Sequence, residues 1–464
     1  MDYNNKRNMI LKGNMVRLIL TLSAPIMINN SIQTIYNLAD TYWVSRIGDT
    51  QIAAITLVWP IIFLMISIGI GISIAGTAII SQYIGAGLLE KAEIVAGQVI
   101  SISFLISAAI GFPSAYFASS IVSAIGGTGE LLSEATSYLQ VIFIGLPMMF
   151  LFFSFTTIKQ GQGDTLTPMK YGALSLLLNI ILDPIFIFVF GLGVKGAAMA
   201  TVLSRGLFAI YAIYKLFIND DIDSITINKK LLKPNIIDSK KLLSVAIPSS
   251  VGQATEAFGF TILTMFVLSF GESTVAAFGI TNRINSLILM PAMGIGTALA
   301  TIVGQNIGAD NIKRSKQAVK TSALLSTVFL GVGGIIILLS ADNLIGLFTN
   351  NDEVLSQGTY FLKLITLALP LMGFYRVFIG TFQGSGHTVL SMMLMTSRLW
   401  VFRIPLVVIL KNATYLGEKS IWFAMILSNV LICLISFGMY LTGMWQKKVI
   451  HDNKFKPKVS LRDV

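Results

Sequence analysis

The sequence predicts an all-α integral membrane protein with twelve transmembrane helices, arranged as two parallel-repeat six-helix lobes around a central cleft. Of its 464 residues only 12% are charged, against about 25% in soluble domains, and the mean hydropathy is +0.78. Twelve stretches are long and apolar enough to cross a bilayer. The second half of the chain also repeats the first. Together these properties exclude a soluble enzyme.

The predicted spans follow one another closely, apart from one polar stretch in the middle of the chain. The first span continues past Pro25 to Asp40 without a small-residue cleavage pattern. It is therefore expected to be retained as a helix rather than removed as a signal peptide. The spans are predicted at 16–45, 51–80, 93–122, 132–158, 167–192, 194–218, 243–270, 276–304, 317–340, 356–381, 389–411 and 418–446.

Lysine and arginine fall mainly on one side of the predicted membrane. With the N-terminus inside, the cytoplasmic segments hold 23 of the 33 basic residues and the opposite side holds 4. Positive charge collects on cytoplasmic loops, so the chain is expected to be a multi-pass plasma (inner) membrane protein with both termini in the cytoplasm. The net charge of +11 then reflects orientation, and no nucleic-acid partner is expected.

A constant, ungapped offset of 223 residues relates the two halves: Pro25 corresponds to Pro248 and Gln82 to Gln305. Six spans separate equivalent positions, so the lobes have the same orientation, and substrate is expected between them near the midplane. Duplication for assembly alone is the alternative. The predicted segments are a cytoplasmic N-terminus (1–15), an N-lobe (16–218), a cytoplasmic linker (219–242), a C-lobe (243–446) and a cytoplasmic basic tail (447–464).

Two carboxylates lie inside spans of the N-lobe, where an ionisable group needs a partner or a function. Asp40 shares a helix face with Tyr36, and Asp183 shares one with Asn179, each four residues earlier. Thr201 follows across a short turn. Two adjacent carboxylates in a low dielectric favour binding of a proton or a small cation. The alternative is that both acids only form hydrogen bonds between neighbouring helices.

The third carboxylate inside a span is Glu256, in the C-lobe, and it has no partner nearby in sequence. Arg376, Arg398 and Arg403 also lie within spans of this lobe. A Glu256–arginine pair that stabilises the C-lobe and a second site that takes part in transport are both consistent with this pattern.

Five segments resemble the multidrug and toxic compound extrusion (MATE) family, and the resemblance covers essentially the whole chain. The LDP segment followed by G-AA-AT is the most specific part. The segments are NLADTYWVSRIG (37–48), QGQGDTLTPM (160–169), NIILDPIFIF (179–188), GVKGAAMAT (193–201) and SRLWVFRIPL (397–406).

The resemblance implies secondary-active export of organic, often cationic and amphipathic compounds in exchange for H⁺ or Na⁺. Family members bind the ion in the N-lobe, at positions that match Asp40, Asn179, Asp183 and Thr201, with a neighbouring tyrosine that matches Tyr36. A Na⁺ would be held by Asp40, Asp183 and Asn179. The tenth span has no acid over 358–382, which departs from the family's C-lobe site and favours the DinF-like branch over the NorM-like branch.

Other functions are less favoured by the sequence. A lipid or lipid-linked saccharide flippase of the same wider superfamily is the main alternative, with Arg398 and Arg403 holding an anionic headgroup; a sensor or scaffold is another. The chain has no Walker, HExxH or GxSxG motif, so it is not expected to be an enzyme. We expect no cofactor other than the coupling ion, small organic molecules and the bilayer as partners, and a monomer.

Overall fold

The computed structural model describes residues 3–218 and 225–450, and every regular element in these two ranges is helical. The N-terminal half contains α1 to α8, and the C-terminal half contains α9 to α16. The helices are α1 (Tyr3–Lys12), α2 (Met15–Ser45), α3 (Asp49–Gly85), α4 (Leu89–Tyr116), α5 (Ala118–Ala124), α6 (Gly129–Gly161), α7 (Leu166–Pro184), α8 (Gly193–Ile218), α9 (Ile236–Leu268), α10 (Glu272–Gly308), α11 (Ile312–Gly346), α12 (Asp352–Thr366), α13 (Leu369–Gly384), α14 (Thr388–Thr396), α15 (Ile404–Ala413) and α16 (Lys419–Leu441).

The membrane-spanning helices agree with the predicted count. In the described residues, eleven elements are long and apolar enough to cross a bilayer, and α12 with α13 provides a twelfth if the pair is one span. The chain is an integral membrane protein. Below, the N-lobe means α2–α8 and the C-lobe α9–α16.

Some predicted elements differ from the structure. The tenth span, predicted at 356–381 as one helix, is bent by 54° between α12 and α13, where Pro370 lies in the first turn of α13. The predicted linker 219–242 ends in helix, because Asn235 caps α9 and α9 begins at Ile236. Residues 1–2, 219–224 and 451–464, which complete the predicted N-terminus, linker and tail, lie outside the described residues.

Two spans contain a π-helix, one at the end of its span and the other near the middle. In the N-lobe the π-helix Ile185–Val189 follows directly after Pro184, at the end of α7. In the C-lobe the π-helix Ser397–Arg403 joins α14 to α15. Proline removes a backbone donor, and π turns inside helices are frequent at functional sites. Both π-helices adjoin the polar side chains that the sequence singles out.

The two lobes pack tightly at the end of the molecule where α3 and α10 terminate. Residues 75–85 of α3 and 298–308 of α10 are all buried. A Cβ atom on Gly85 would lie 1.9 Å from the carbonyl oxygen of Gln305, and one on Gly308 would lie 2.0 Å from that of Gln82. Only glycine allows this approach of one helix to the other. We call this region the closed end.

Both terminal segments also contact the closed end. Arg7 of α1 donates to the carbonyl oxygens of Ile84 and Gly85, both at 2.9 Å. Arg314 of α11 donates to the carbonyl oxygen of Ile10 at 2.9 Å. After α16, the backbone N–H of Val449 donates to Gln82 Oε1 at 3.1 Å. The segments that precede α2 and follow α16 therefore bridge the two lobes on this side.

Candidate functional site

A cavity of about 1030 Å³ lies between the lobes. Its apolar wall includes Trp59, Phe153, Phe258 and Phe260, and Trp59, Phe258 and Phe260 are more than 40% exposed. The first half of α3 is far less buried than its closed end. The cavity is therefore open toward the side where α3 begins and is closed beyond Gln160 on the other side.

Asp40 of α2 lies in the N-lobe wall of this cavity. The Thr201 hydroxyl of α8 donates to Asp40 Oδ2 at 3.4 Å. Tyr36, one turn earlier on α2, lies 2.9 Å from Ser204 Oγ and is 3% exposed. The guanidinium of Arg205 stacks on the Tyr36 ring at 4.6 Å. Helices α2 and α8 thus position the first acid.

Asp183 and Asn179 of α7 lie behind Asp40, and neither is exposed. Asn179 Nδ2 donates to Asp183 Oδ1 at 3.2 Å, as expected for side chains four residues apart on a helix. The Asp40 carboxyl group faces Asp183 and Asn179 closely enough to interact with both. The structure therefore brings together all five N-lobe residues predicted for an ion site, Tyr36 included.

We call these five residues the N-lobe cluster. Three of its oxygens are buried and receive no hydrogen bond from the described residues: Asp40 Oδ1, Asn179 Oδ1 and Asp183 Oδ2. Buried polar atoms are normally satisfied, and an exception calls for an explanation. A proton shared between the carboxyl groups would satisfy two of them. A hard cation such as Na⁺ would also fit, because all the free atoms are oxygens. The N-lobe cluster therefore fits either cation.

The predicted C-lobe residues also meet at the cavity, where they form what we call the C-lobe cluster. Glu256 of α9 forms ion pairs with Arg398 of the π-helix and with Arg376 of α13, the latter at 3.7 Å. Arg403 makes no ion pair in the described residues. It donates instead to Ser428 Oγ at 2.9 Å and Asn429 Oδ1 at 2.6 Å on α16.

A family model described as MatE matches residues 25–185 and 248–409, one match in each half of the chain. The chain belongs to the MATE family. A probable multidrug resistance protein of Bacillus subtilis, YoeA, is 26% identical over 92% of this chain and 93% of its own length. The multidrug export protein MepA of Staphylococcus aureus is 27% identical over 82% of this chain and 85% of its own length.

A solved structure of a multidrug resistance MATE transporter, described as the outward-facing conformation, superposes on this MATE chain with a TM-score of 0.88. The two are 28% identical, with 93% of this chain and 96% of that chain covered. The all-helical, two-lobe fold predicted from the sequence is confirmed. The same comparisons do not distinguish between the DinF-like and NorM-like branches.

Sequence reasoning missed several residues of this MATE site. Ser204 lies three residues after Thr201 on the same face of α8, so helical spacing alone could have found it. Tyr138 of α6 lines the cavity near Asp40, but no local pattern pointed to it. The same holds for Ser428 and Asn429, which reach Arg403 from a helix 25 residues further along the chain.

Proposed function

We propose that this MATE protein is a secondary-active exporter in the plasma membrane, with both termini in the cytoplasm. It exchanges organic, often cationic and amphipathic compounds for H⁺ or Na⁺ by alternating access. The observation that carries the proposal is the N-lobe cluster, where buried carboxylate oxygens lack donors beside a large apolar cavity. Curated relatives named as multidrug resistance or export proteins support the substrate class.

The position of the cavity indicates the side from which the coupling cation enters. The closed end lies on the side of the terminal segments, and the positive charge of the loops assigns that side to the cytoplasm. The cavity then opens outward. A cation that enters from outside reaches Asp40 first, since Asp40 lines the cavity and Asp183 is fully buried behind it.

Coupling requires that cation and substrate favour opposite states of the transporter. Asp40 lies on α2, which packs against helices of both lobes and contains Pro25. Cation binding at Asp40 and Asp183 bends or shifts α2 and lowers the affinity of the cavity for substrate. One cation moving down 100 mV supplies about 2.3 kcal/mol, enough for a modest substrate gradient.

The DinF-like branch fits this arrangement better than the NorM-like branch. A second cation site in the C-lobe would need an acid to accompany Glu256. Residues 358–382 contribute Arg376 and no acid, and Glu256 is already engaged by two arginines. The N-lobe cluster is therefore the coupling site in this proposal. The flippase alternative is not favoured, because the two curated relatives described above are named for multidrug resistance and multidrug export.

Transport of ethidium by purified protein in proteoliposomes tests this function. An imposed pH gradient and an imposed Na⁺ gradient, applied separately, identify the coupling ion. Asp40→Asn and Asp183→Asn should each abolish gradient-driven transport and leave the fold intact. Asp342→Asn is the matched control, because this acid is 68% exposed on α11. Undiminished gradient-driven transport in both N-lobe variants would reject the proposal.

A further inference from the structure

The charge of the cavity is opposite to what a purely cationic substrate needs. Two carboxylates line it, Asp40 and Glu256, together with four arginines: Arg205, Arg376, Arg398 and Arg403. Arginine stays protonated in proteins, so the lining has two more positive than negative groups. An uncompensated charge inside the membrane costs free energy and is typical of a functional site.

The excess lies in the C-lobe cluster. Glu256 is the only acidic side chain of the described residues that forms an ion pair with Arg376 or Arg398. The hydrogen-bond partners of Arg403 among the described residues are both neutral. The cluster thus contains three guanidinium groups and one carboxylate, and two of the three guanidinium groups pair with it. A hydroxyl and an amide fix the direction of Arg403 and leave its charge uncompensated.

Unused hydrogen-bond donors lie within the same cluster. The Nε atoms of Arg376 and Arg398 are buried and donate to no acceptor in the part of the chain that the structure describes. The Arg398 side chain is only 9% exposed. Arg376 is 22% exposed, so of the two it is more accessible from the cavity. A buried donor without an acceptor costs free energy, and an oxyanion is the acceptor that arginine binds best.

Apolar side chains surround this basic wall. Phe258 and Phe260 on α9 and Met293 on α10 line the cavity in the same lobe. A fully polar anion would gain nothing from them. An amphipathic molecule would bury its apolar body against these residues while its anionic group meets the arginines.

We propose that the C-lobe cluster binds the anionic group of an amphipathic substrate, a carboxylate or another singly charged oxyanion. The exporter then accepts amphipathic anions and zwitterions as well as cations. Arg376 and Arg398 hold the oxyanion, and Arg403 adds to the positive field. This inference rests on the proposed export function and names a substrate class for it.

A matched pair of dyes tests the proposal: tetramethylrhodamine, which carries a carboxylate, and its methyl ester, which does not. Binding to the full-length protein is measured by fluorescence in nanodiscs of phosphatidylcholine, without any ion gradient. Arg376→Gln should weaken binding of the carboxylate dye about tenfold or more, the scale of losing a charged hydrogen bond. The Kd of the methyl ester should not rise. Arg376→Lys should give an intermediate loss, because it keeps the charge without the planar fork.

Arg283→Gln is the control, because Arg283 is exposed on α10 and does not line the cavity. It should leave the Kd of both dyes unchanged. Unaltered binding of the carboxylate dye by Arg376→Gln would overturn the inference. An equal loss for both dyes would also overturn it, since it would indicate general damage to the cavity.

Two further outcomes distinguish a failure of this inference from a failure of the proposed export function. If the wild type exports neither dye nor ethidium from proteoliposomes, the export function itself fails. If it exports the methyl ester but Arg376→Gln does not discriminate between the dyes, only the anion site fails. Nanodiscs containing phosphatidylglycerol test a lipid headgroup as the source of the anion. Competition by this lipid for the carboxylate dye would assign the C-lobe cluster to lipid and overturn the substrate assignment.

Discussion

The N-lobe and the C-lobe share one architecture, and at the closed end equivalent residues of the two lobes make corresponding contacts across the interface. Gln82 and its equivalent Gln305 each donate across the lobe interface, to the carbonyl oxygens of Ser385 and Gly161, both at 3.0 Å. Gly85 and its equivalent Gly308 each allow the opposite helix to approach. Residues related by the offset of 223 therefore form a contact with pseudo-two-fold symmetry at the closed end.

At the cavity the lobes differ sharply in charge. At the same offset, Asp40 corresponds to Leu263, Glu256 to Gln33 and Arg376 to Phe153. Neither cluster has a counterpart in the other lobe. The comparison suggests that residues with an equivalent in the other lobe close the molecule, whereas residues without one bind the cation and the substrate. Duplicated folds can in this way preserve a motion while their two sites diverge.

Substituting the glycines of the closed end should have the largest effect on transport. In Gly85→Ala the new Cβ would lie 1.9 Å from the Gln305 carbonyl oxygen, and overpacking of this kind costs about 1–3 kcal/mol. The variant should disfavour the closed end and abolish export. Gly308→Ala should do the same by symmetry. Maleimide labelling of Thr301→Cys, a position 1% exposed in this state, measures the opening in a Cys433→Ala background.

Gly331→Ala is the control for these glycine variants, since nothing lies within 4 Å of a Cβ at Gly331 in α11. It should keep full transport. Equal labelling of Thr301→Cys with and without Gly85→Ala would contradict a symmetric closure. So would a strong effect of one glycine variant without the other.

Removing a carboxylate should have opposite effects on stability in the two lobes. Glu256→Gln leaves Arg376 and Arg398 without an acidic partner among the described residues, and breaking ion pairs that are largely but not fully buried costs up to about 3 kcal/mol. Its melting temperature should fall, and Arg398→Met added to it should restore part of the loss. Asp183→Asn removes one of two crowded acids in the N-lobe, so its melting temperature should hold or rise. A fall for Asp183→Asn as large as that for Glu256→Gln would erase the proposed difference.

Local spacing was sufficient to predict two pairs of residues in the N-lobe cluster, but no contact of the C-lobe cluster. Tyr36 with Asp40 and Asn179 with Asp183 are pairs four residues apart, so a helix places them together whatever the fold. The connection between Asp40 and Thr201 depends instead on how α2 meets α8, 161 residues apart. No period in the sequence encodes that contact, and the family resemblance supplied it.

The bend in the tenth span shows another limit of the sequence. Pro370 marks the break between α12 and α13, yet Pro25, Pro147 and Pro291 lie inside continuous helices of this chain. Proline is tolerated in membrane helices because neighbouring groups satisfy the freed carbonyl. Whether a proline breaks a span therefore depends on tertiary packing, which a hydropathy window does not contain.

The smallest expected effect concerns two equivalent loop positions, Asp164 and His387. Burial opposes ionisation of Asp164, but the Lys6 charge at 3.0 Å and hydrogen bonds from Thr167 outweigh it and lower its pKa. Burial lowers the pKa of His387, against a hydrogen bond involving Ser385. Both groups bind protons more weakly in the folded state, so both contribute stability at neutral pH that is lost on acidification.

The two losses fall in different pH windows, which makes the lobes separable by titration. Stability from His387 declines as the pH drops below about 6.5, and stability from Asp164 declines only below about 4, from the ordinary pKa values. His387→Gln should remove the first decline in melting temperature, and Asp164→Asn should remove the second. Because Lys6 and Asp164 are partly exposed, the second change should be below about 1 kcal/mol. A single decline that neither variant alters would show that other groups control the acid stability of both loops.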